Sequence, residues 1–129
     1  MRHKDNTLTG HHIMEGGERV GRCIREEHGT FSVYLGRDDE YIGGVSHPSQ
    51  AVDAIRRYFK RNDTVRRKIR RDIQLFEEML TQTTHQPSID RVTRKQDEAR
   101  AELERLEMID TLRPKSLLTV NDRPTVENE

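Results

Sequence analysis

Four residues standing seven apart, Ile55, Asn62, Ile69 and Phe76, constrain this 129-residue chain more than any other feature. Tyr58, Val65, Asp72 and Met79 repeat the interval three residues on, with Ile73 and Leu80 beside them. A seven-residue interval keeps one side of an α-helix turned to a partner. The phase passes through the polar pair Asn62-Asp63 without a shift. It therefore favours one helix from about 48 to 81 over two helices with Asp63 capping the second. Thr81 to Pro87 has the composition of a loop, and Ser88 can cap a further helix. There Val92, Ala99 and Leu106 stand seven apart, flanked by Ile89, Leu103 and Ile109, and Arg113-Pro114 ends the pattern.

Upstream the period changes from helical to alternating. Thr30 to Leu35 places Phe31, Val33 and Leu35 on one face and Ser32 and Tyr34 on the other. Shorter runs, Arg19 to Arg25 (interrupted by Gly21) and Glu40 to Val45, flank it across the turn-forming Glu27-His28-Gly29 and Arg37-Asp38-Asp39. These predict a three-stranded antiparallel meander. Ser46 can cap the helix that follows, and Pro48 suits its first turn. Ala51, Val52, Ala54, Ile55, Tyr58 and Phe59 would lie across one sheet face. The expected class is α+β: a small three-stranded antiparallel sheet packed on a helix, then an antiparallel charged helical hairpin. The expected boundaries are a flexible arm at 1–17 punctuated by Gly16-Gly17, a ββ-β-α domain at 18–63, the hairpin at 64–110 and a tail at 111–129. In that tail, Ser116 to Val120 can order on another surface.

Charge supports the hairpin. Lys and Arg together number 23, as do Asp and Glu, but their placement is uneven. Nine basic residues (Arg56, Arg57, Lys60, Arg61, Arg66, Arg67, Lys68, Arg70, Arg71) and one acid, Asp63, fall between 56 and 71. Folding back about the loop centre sets residue 66 opposite roughly 102 and 77 opposite roughly 91. The basic run then meets Glu98, Glu102 and Glu104, while Glu77-Glu78 meets Arg91, Arg94 and Lys95. A parallel pairing would not match these signs. Asn62, Asp72 and Gln96 at seam positions look like register devices.

Composition narrows the function. The apolar share is 31% against 36% charged, and Leu, Ile, Val and Phe total 28 residues, too few for a large catalytic core. No apolar run approaches the ~18 residues of a membrane span, and no signal-peptide pattern opens the chain, so no membrane partner is expected. The single Cys23 excludes an internal disulfide framework and fits a reducing, cytoplasmic setting.

Candidate sites follow from residue type and spacing. Arg56, Arg57, Lys60 and Arg61 are the part of the basic run least offset by the hairpin. On the solvent side of a helix they suit contact with nucleic-acid phosphates, the alternative being a merely solvated face. On the sheet, Arg22, Arg25 and Tyr34, with Arg19, Ser32 and Arg37 nearby, form a second candidate, opposed by the acidic turn Asp38-Asp39-Glu40. In layout this sheet backed by a helix resembles the arm-binding domains of phage integrases and plant AP2 domains, with no shared motif. That resemblance implies a free sheet face laid in a major groove. Val65, Ile69, Phe76, Val92, Ala99, Leu103 and Leu106 are candidates for homodimerisation through 64–110, the competing use being an intramolecular hairpin. His3, His11 and His12 lack zinc-ligand spacing, and His28 and His47 sit at a turn and a helix start. Cys23 is a nucleophile only with a histidine beside it, and Glu26-Glu27, Asp38-Asp39 and Glu77-Glu78 occupy solvated positions. Neither Gly16-Gly17 nor Gly43-Gly44 continues into a phosphate-loop pattern.

The expectation is a non-enzymatic binding protein without cofactor, dimeric, cytoplasmic, acting on DNA or on a DNA-bound complex. Its size suits the accessory or regulatory proteins that phages and plasmids carry. The alternative is an inhibitor or adaptor whose hairpin engages a host protein.

Overall fold

A computed structural model describes residues 9–121 and the two-residue strand Thr125–Val126. The architecture is mixed α+β, with a five-stranded antiparallel sheet and two helices. The strands are β1 (Thr9–Glu15), β2 (Glu18–Arg25), β3 (Phe31–Leu35), β4 (Glu40–Val45) and β5 (Leu118–Val120), ordered β4-β3-β2-β1-β5. The short β6 (Thr125–Val126) pairs with β1 at Thr9 and Gly10. The helices are α1 (Ala51–Gln82) and α2 (Gln86–Asp110). Two compact units result, one comprising the chain up to Phe59 together with the segment from Leu112 onward, the other Lys60–Thr111.

In the first unit the meander expected at 19–45 is present as β2, β3 and β4, but the sheet is wider than three strands. Strand β1 occupies part of the segment expected as an arm. Gly16 and Gly17, at φ of 60° and 86°, form the two-residue turn that joins it to β2, where Glu15 pairs with Glu18. Two successive residues at positive φ give a turn whose twist matches the flanking strands, and glycine adopts it without strain. On the other side of β1, β5 uses Leu118 to Val120, so part of the expected tail is the sheet's last strand. Glu15 holds the approach to β5: one carboxylate oxygen accepts from the backbone N–H groups of Ser116 and Lys115 and from the Ser116 hydroxyl. These donors, Ser116 N–H foremost, keep the Glu15 carboxyl below the usual carboxylate range.

The inner face of the sheet carries Ile13, Cys23, Val33 and Leu35, each no more than 1% exposed. Ala51, Ile55 and Phe59, buried one turn apart on α1, complete this core. Arg113 lies over the Phe59 ring at 5.2 Å and donates to the Phe59 carbonyl. The start of α1 differs by one residue from expectation. The cap is His47, whose Nδ1 accepts from Ser49 N–H, while the Gln50 side chain accepts from the Ser46 and His47 amides. Pro48 begins the 3-10 turn Pro48–Gln50 that leads into the helix.

Gly21 does not interrupt β2, which continues through it, and nothing larger fits there. A Cβ there would stand 2.4 Å from the Tyr34 carbonyl oxygen and 2.8 Å from Leu35 Cδ2.

In the second unit α1 continues without a break at Asn62-Asp63, as its heptad phase predicts, and pairs with an antiparallel α2. α2 starts at Gln86, with His85 as its cap residue, so Ser88 lies inside the helix and its hydroxyl meets His85 Nδ1 at 2.9 Å. The hairpin register also departs from the fold-back estimate. Arg66 meets Asp110, Arg70 meets Glu107, and Glu77 meets Arg100. All three pairs lie more than two helical turns farther along α2 than a tight reversal gives. The linker 83–85 is not such a reversal: His85 is extended, at φ −79° and ψ 113°. Val92, Gln96, Leu106 and Ile109 are buried, and Ile69, Ile73 and Phe76 are half-buried. A well-shielded ion pair here is that of Arg66 (side chain 15% exposed), which donates to Asp63 at 2.6 Å and to Asp110 at 3.3 Å.

Two stability outcomes follow. Gly21→Ala should lower unfolding free energy by ~2 kcal/mol or more in urea titration, because the clash is with backbone. Arg66→Ala should cost about 1–3 kcal/mol, since it removes the cation between two half-buried carboxylates. Hydrogen exchange should place that loss in Lys60–Thr111.

Candidate nucleic-acid interface

Side chains three and four apart share a helix face, so 57, 60, 61, 64, 67 and 71 form one stripe along α1. The stripe lies away from the buried Ala51, Ile55 and Phe59 and from the half-buried Ile69 and Phe76. Arg57, Lys60, Arg61, Arg67 and Arg71 on it are all exposed. Among the described residues no carboxylate pairs with any of them; Arg67 bonds only sideways, to the Thr64 hydroxyl. The other members of the basic run are matched. Arg56 pairs with Asp53, Arg66 with Asp63 and Asp110, Lys68 with Asp72, and Arg70 with Glu107. Helix-local pairs (Arg56–Asp53, Arg66–Asp63, Lys68–Asp72) and two contacts across the hairpin (Arg66–Asp110, Arg70–Glu107) thus sort nine cations into a neutralised set and an open ridge. Of the four expected contacts, Arg57, Lys60 and Arg61 lie on the ridge; Arg56 lies beside it with its charge engaged. Arg67, farther along the same face, was missed because the assumed register set acids against it.

The sheet candidate is divided. Cross-strand pairing aligns His12, Arg22, Tyr34 and Tyr41 in one row on the face away from the core. Tyr34 and Tyr41 have ring centroids 5.7 Å apart, and the Arg22 guanidinium stands 6.0 Å from the Tyr34 centroid. Arg22 is not an open cation, however. Its Nε and a terminal nitrogen donate to the two oxygens of Asp39, at 3.1 and 2.7 Å. Asp39 sits at φ 53°, a left-handed turn position that aspartate tolerates, and from there it reaches back to the strand. The acidic turn therefore acts by capturing Arg22. Arg25, three residues along an unbroken stretch of β2, falls on the opposite face from Arg22 and Tyr34.

The residues expected at a dimer seam divide as well. Val92 and Leu106 are buried, Ile69, Phe76, Ala99 and Leu103 are half-buried, and Val65 is 37% exposed. Of the three polar seam positions, Gln96 is buried and the amide nitrogens of Gln96 and Asn62 have no partner among the described residues. Asp72 takes Lys68.

Burial decides the chemistry of Cys23. It is fully enclosed in the sheet core, and desolvation pushes its thiol up to about 11. At neutral pH it is a protonated core side chain. His3 lies outside the described residues. His11 Nδ1 meets the Asn121 carbonyl at 2.9 Å, and His47 is the cap described above. Both line a cavity of about 480 Å³ with Phe31, Val52 and Leu118. No sequence signal foretold it, because it needs β5 beside β1. Among the described residues no cluster of three or more His, Cys, Asp or Glu could hold a metal ion, and no helix is long and apolar enough to cross a membrane.

Comparison with protein-family models, with curated proteins and with solved structures finds no match to this chain.

The Cys23 environment sets a pH dependence. The unfolded thiol ionises near 9.0 and the folded one near 11. Between these values the unfolded state binds fewer protons, so the Cys23 contribution to stability is complete below pH 9 and declines as pH rises toward 11. Denaturant titrations of the protein and of Cys23→Ala should show a loss across that window in the parent that the variant lacks. The native thiol should also resist an aromatic disulfide reagent at pH 8 until the protein unfolds.

Proposed function

We propose that this chain is a small binding protein that docks on duplex DNA through the open ridge of α1 and performs no catalytic step. The observation that carries this reading is the set Arg57, Lys60, Arg61 and Arg67, exposed, on one helix face, without carboxylate partners among the described residues. Cations so placed neutralise phosphates and release condensed counterions, which favours binding without regard to sequence. Arg22 and Tyr34 stay outside the contact, one held by Asp39 and the other packed on Tyr41. Such a protein suits an accessory or regulatory role on DNA or on a DNA-bound complex in the cytoplasm, of the kind phages and plasmids carry. The second reading, an adaptor or inhibitor that engages a host protein through its hairpin, draws on the exposure of Leu75, Met79 and Met108.

Titration with a duplex of mixed sequence separates the two. Four phosphate contacts give a slope of about −3.6 in log affinity against log salt, roughly a hundredfold loss between 50 and 200 mM. Arg57→Glu with Arg61→Glu should abolish binding. Arg91→Glu with Arg94→Glu, the same charge change on α2, should leave most of it. Salt-insensitive binding, or equal loss in both variants, would overturn the ridge.

A further inference from the structure

Beyond the basic ridge the same face of α1 changes character. Leu75 is 50% exposed and Met79 48%, although both belong to a helix whose neighbouring Ile69, Ile73 and Phe76 are shielded. Leu75 and Met79 thus form an apolar pair one turn apart, outside the seam that α2 covers. Large apolar side chains left together in water mark a surface that another chain can complete.

The charges on this strip specify the occupant. Arg71 precedes Leu75 by one turn and Glu78 follows it by nearly one turn, on the same edge of the strip. Both are exposed, and neither has a carboxylate or cationic partner among the described residues. Two copies of α1 laid antiparallel about a point between Gln74 and Leu75 put Arg71 of each against Glu78 of the other. A parallel pairing would oppose Arg71 to Arg71 and Glu78 to Glu78. We infer that the Leu75–Met79 strip of α1 is a self-complementary surface that takes a second copy of this chain, antiparallel and two-fold symmetric, through Leu75 and Met79 with two Arg71–Glu78 bridges.

The surface differs from the Ile69, Phe76, Val92 and Leu106 seam, which the hairpin fills from within one chain. The contact is isologous, so it closes at two chains and does not propagate. Leu75 of one copy lies against Leu75 of the other near the axis, and Met79 packs on the aliphatic stem of Arg71 across the pair. The inference does not depend on DNA binding: Arg71 is the one ridge cation within the strip, and Arg57, Lys60, Arg61 and Arg67 lie upstream of it.

Sedimentation velocity of the full chain without nucleic acid, from about 1 to several hundred micromolar, tests it. A reversible monomer–dimer equilibrium is expected. Leu75→Asp should weaken it at least tenfold, with helix content and unfolding midpoint by circular dichroism unchanged, because Leu75 is half-exposed. Arg71→Glu alone and Glu78→Arg alone should each weaken association severalfold, since each sets like charges across the axis. The double variant should restore it, because the reversed pair is still complementary. A monomer throughout the range, a dimer indifferent to Leu75→Asp, or a double variant no better than the singles would overturn the inference.

Discussion

The contact on which this structure depends is the burial of the sheet's inner face, Ile13, Cys23, Val33 and Leu35, against Ala51, Ile55 and Phe59 of α1. A chain with 31% apolar residues has little else with which to exclude water. Every strand that joins the sheet either adds to this face or protects its edge. β1 contributes Ile13, and β5 covers the outer edge of β1 with Leu118 buried. Gly21 permits the close approach of β2 to β3 that brings Cys23 and Val33 into register. The polar groups around this core are fixed by short-range bonds: Glu15 on the amides of 115 and 116, Asp39 on Arg22, Tyr58 on Glu40.

The second unit follows a different physical plan. Its apolar seam is thin and only four residues are buried, one of them Gln96. Ion pairs across the hairpin add to what holds its register. Arg66 between Asp63 and Asp110 is partly withdrawn from water and so carries more energy than the exposed Arg70–Glu107 and Arg100–Glu77 pairs, which contribute direction more than stability. Pairs across the hairpin engage Arg66 and Arg70, helix-local pairs engage Arg56 and Lys68, and the cations left over form the basic ridge.

Much of this organisation was legible beforehand. Alternation at Phe31 to Leu35 located β3, turn residues located its neighbours, and heptad phase carried α1 through Asn62-Asp63. The strands that escaped notice, β1, β5 and the two-residue β6, lack such signals. In β1 His11-His12 interrupts the alternation and Ile13 is the one large apolar side chain that is fully buried among its described residues; β5 is three residues long. The Gly16-Gly17 turn was the available clue to β1, because two adjacent glycines are as typical of a tight hairpin as of a mobile end. The hairpin's antiparallel sense could be read from charge, but its register could not, since register depends on how extended residues 83–85 are.

By itself the sequence determined the α+β class, the continuity of α1 and the accumulation of cations between 56 and 71, because these rest on local period and residue type. Only the tertiary structure decided that Asp110 and Glu107 of α2 engage Arg66 and Arg70, that Arg22 belongs to Asp39, that Cys23 is a core thiol, and that Leu75 and Met79 stay uncovered. Each of these depends on residues distant in the chain meeting at a particular register. Register is set by the sum of many weak contacts, and no short stretch of sequence contains that sum.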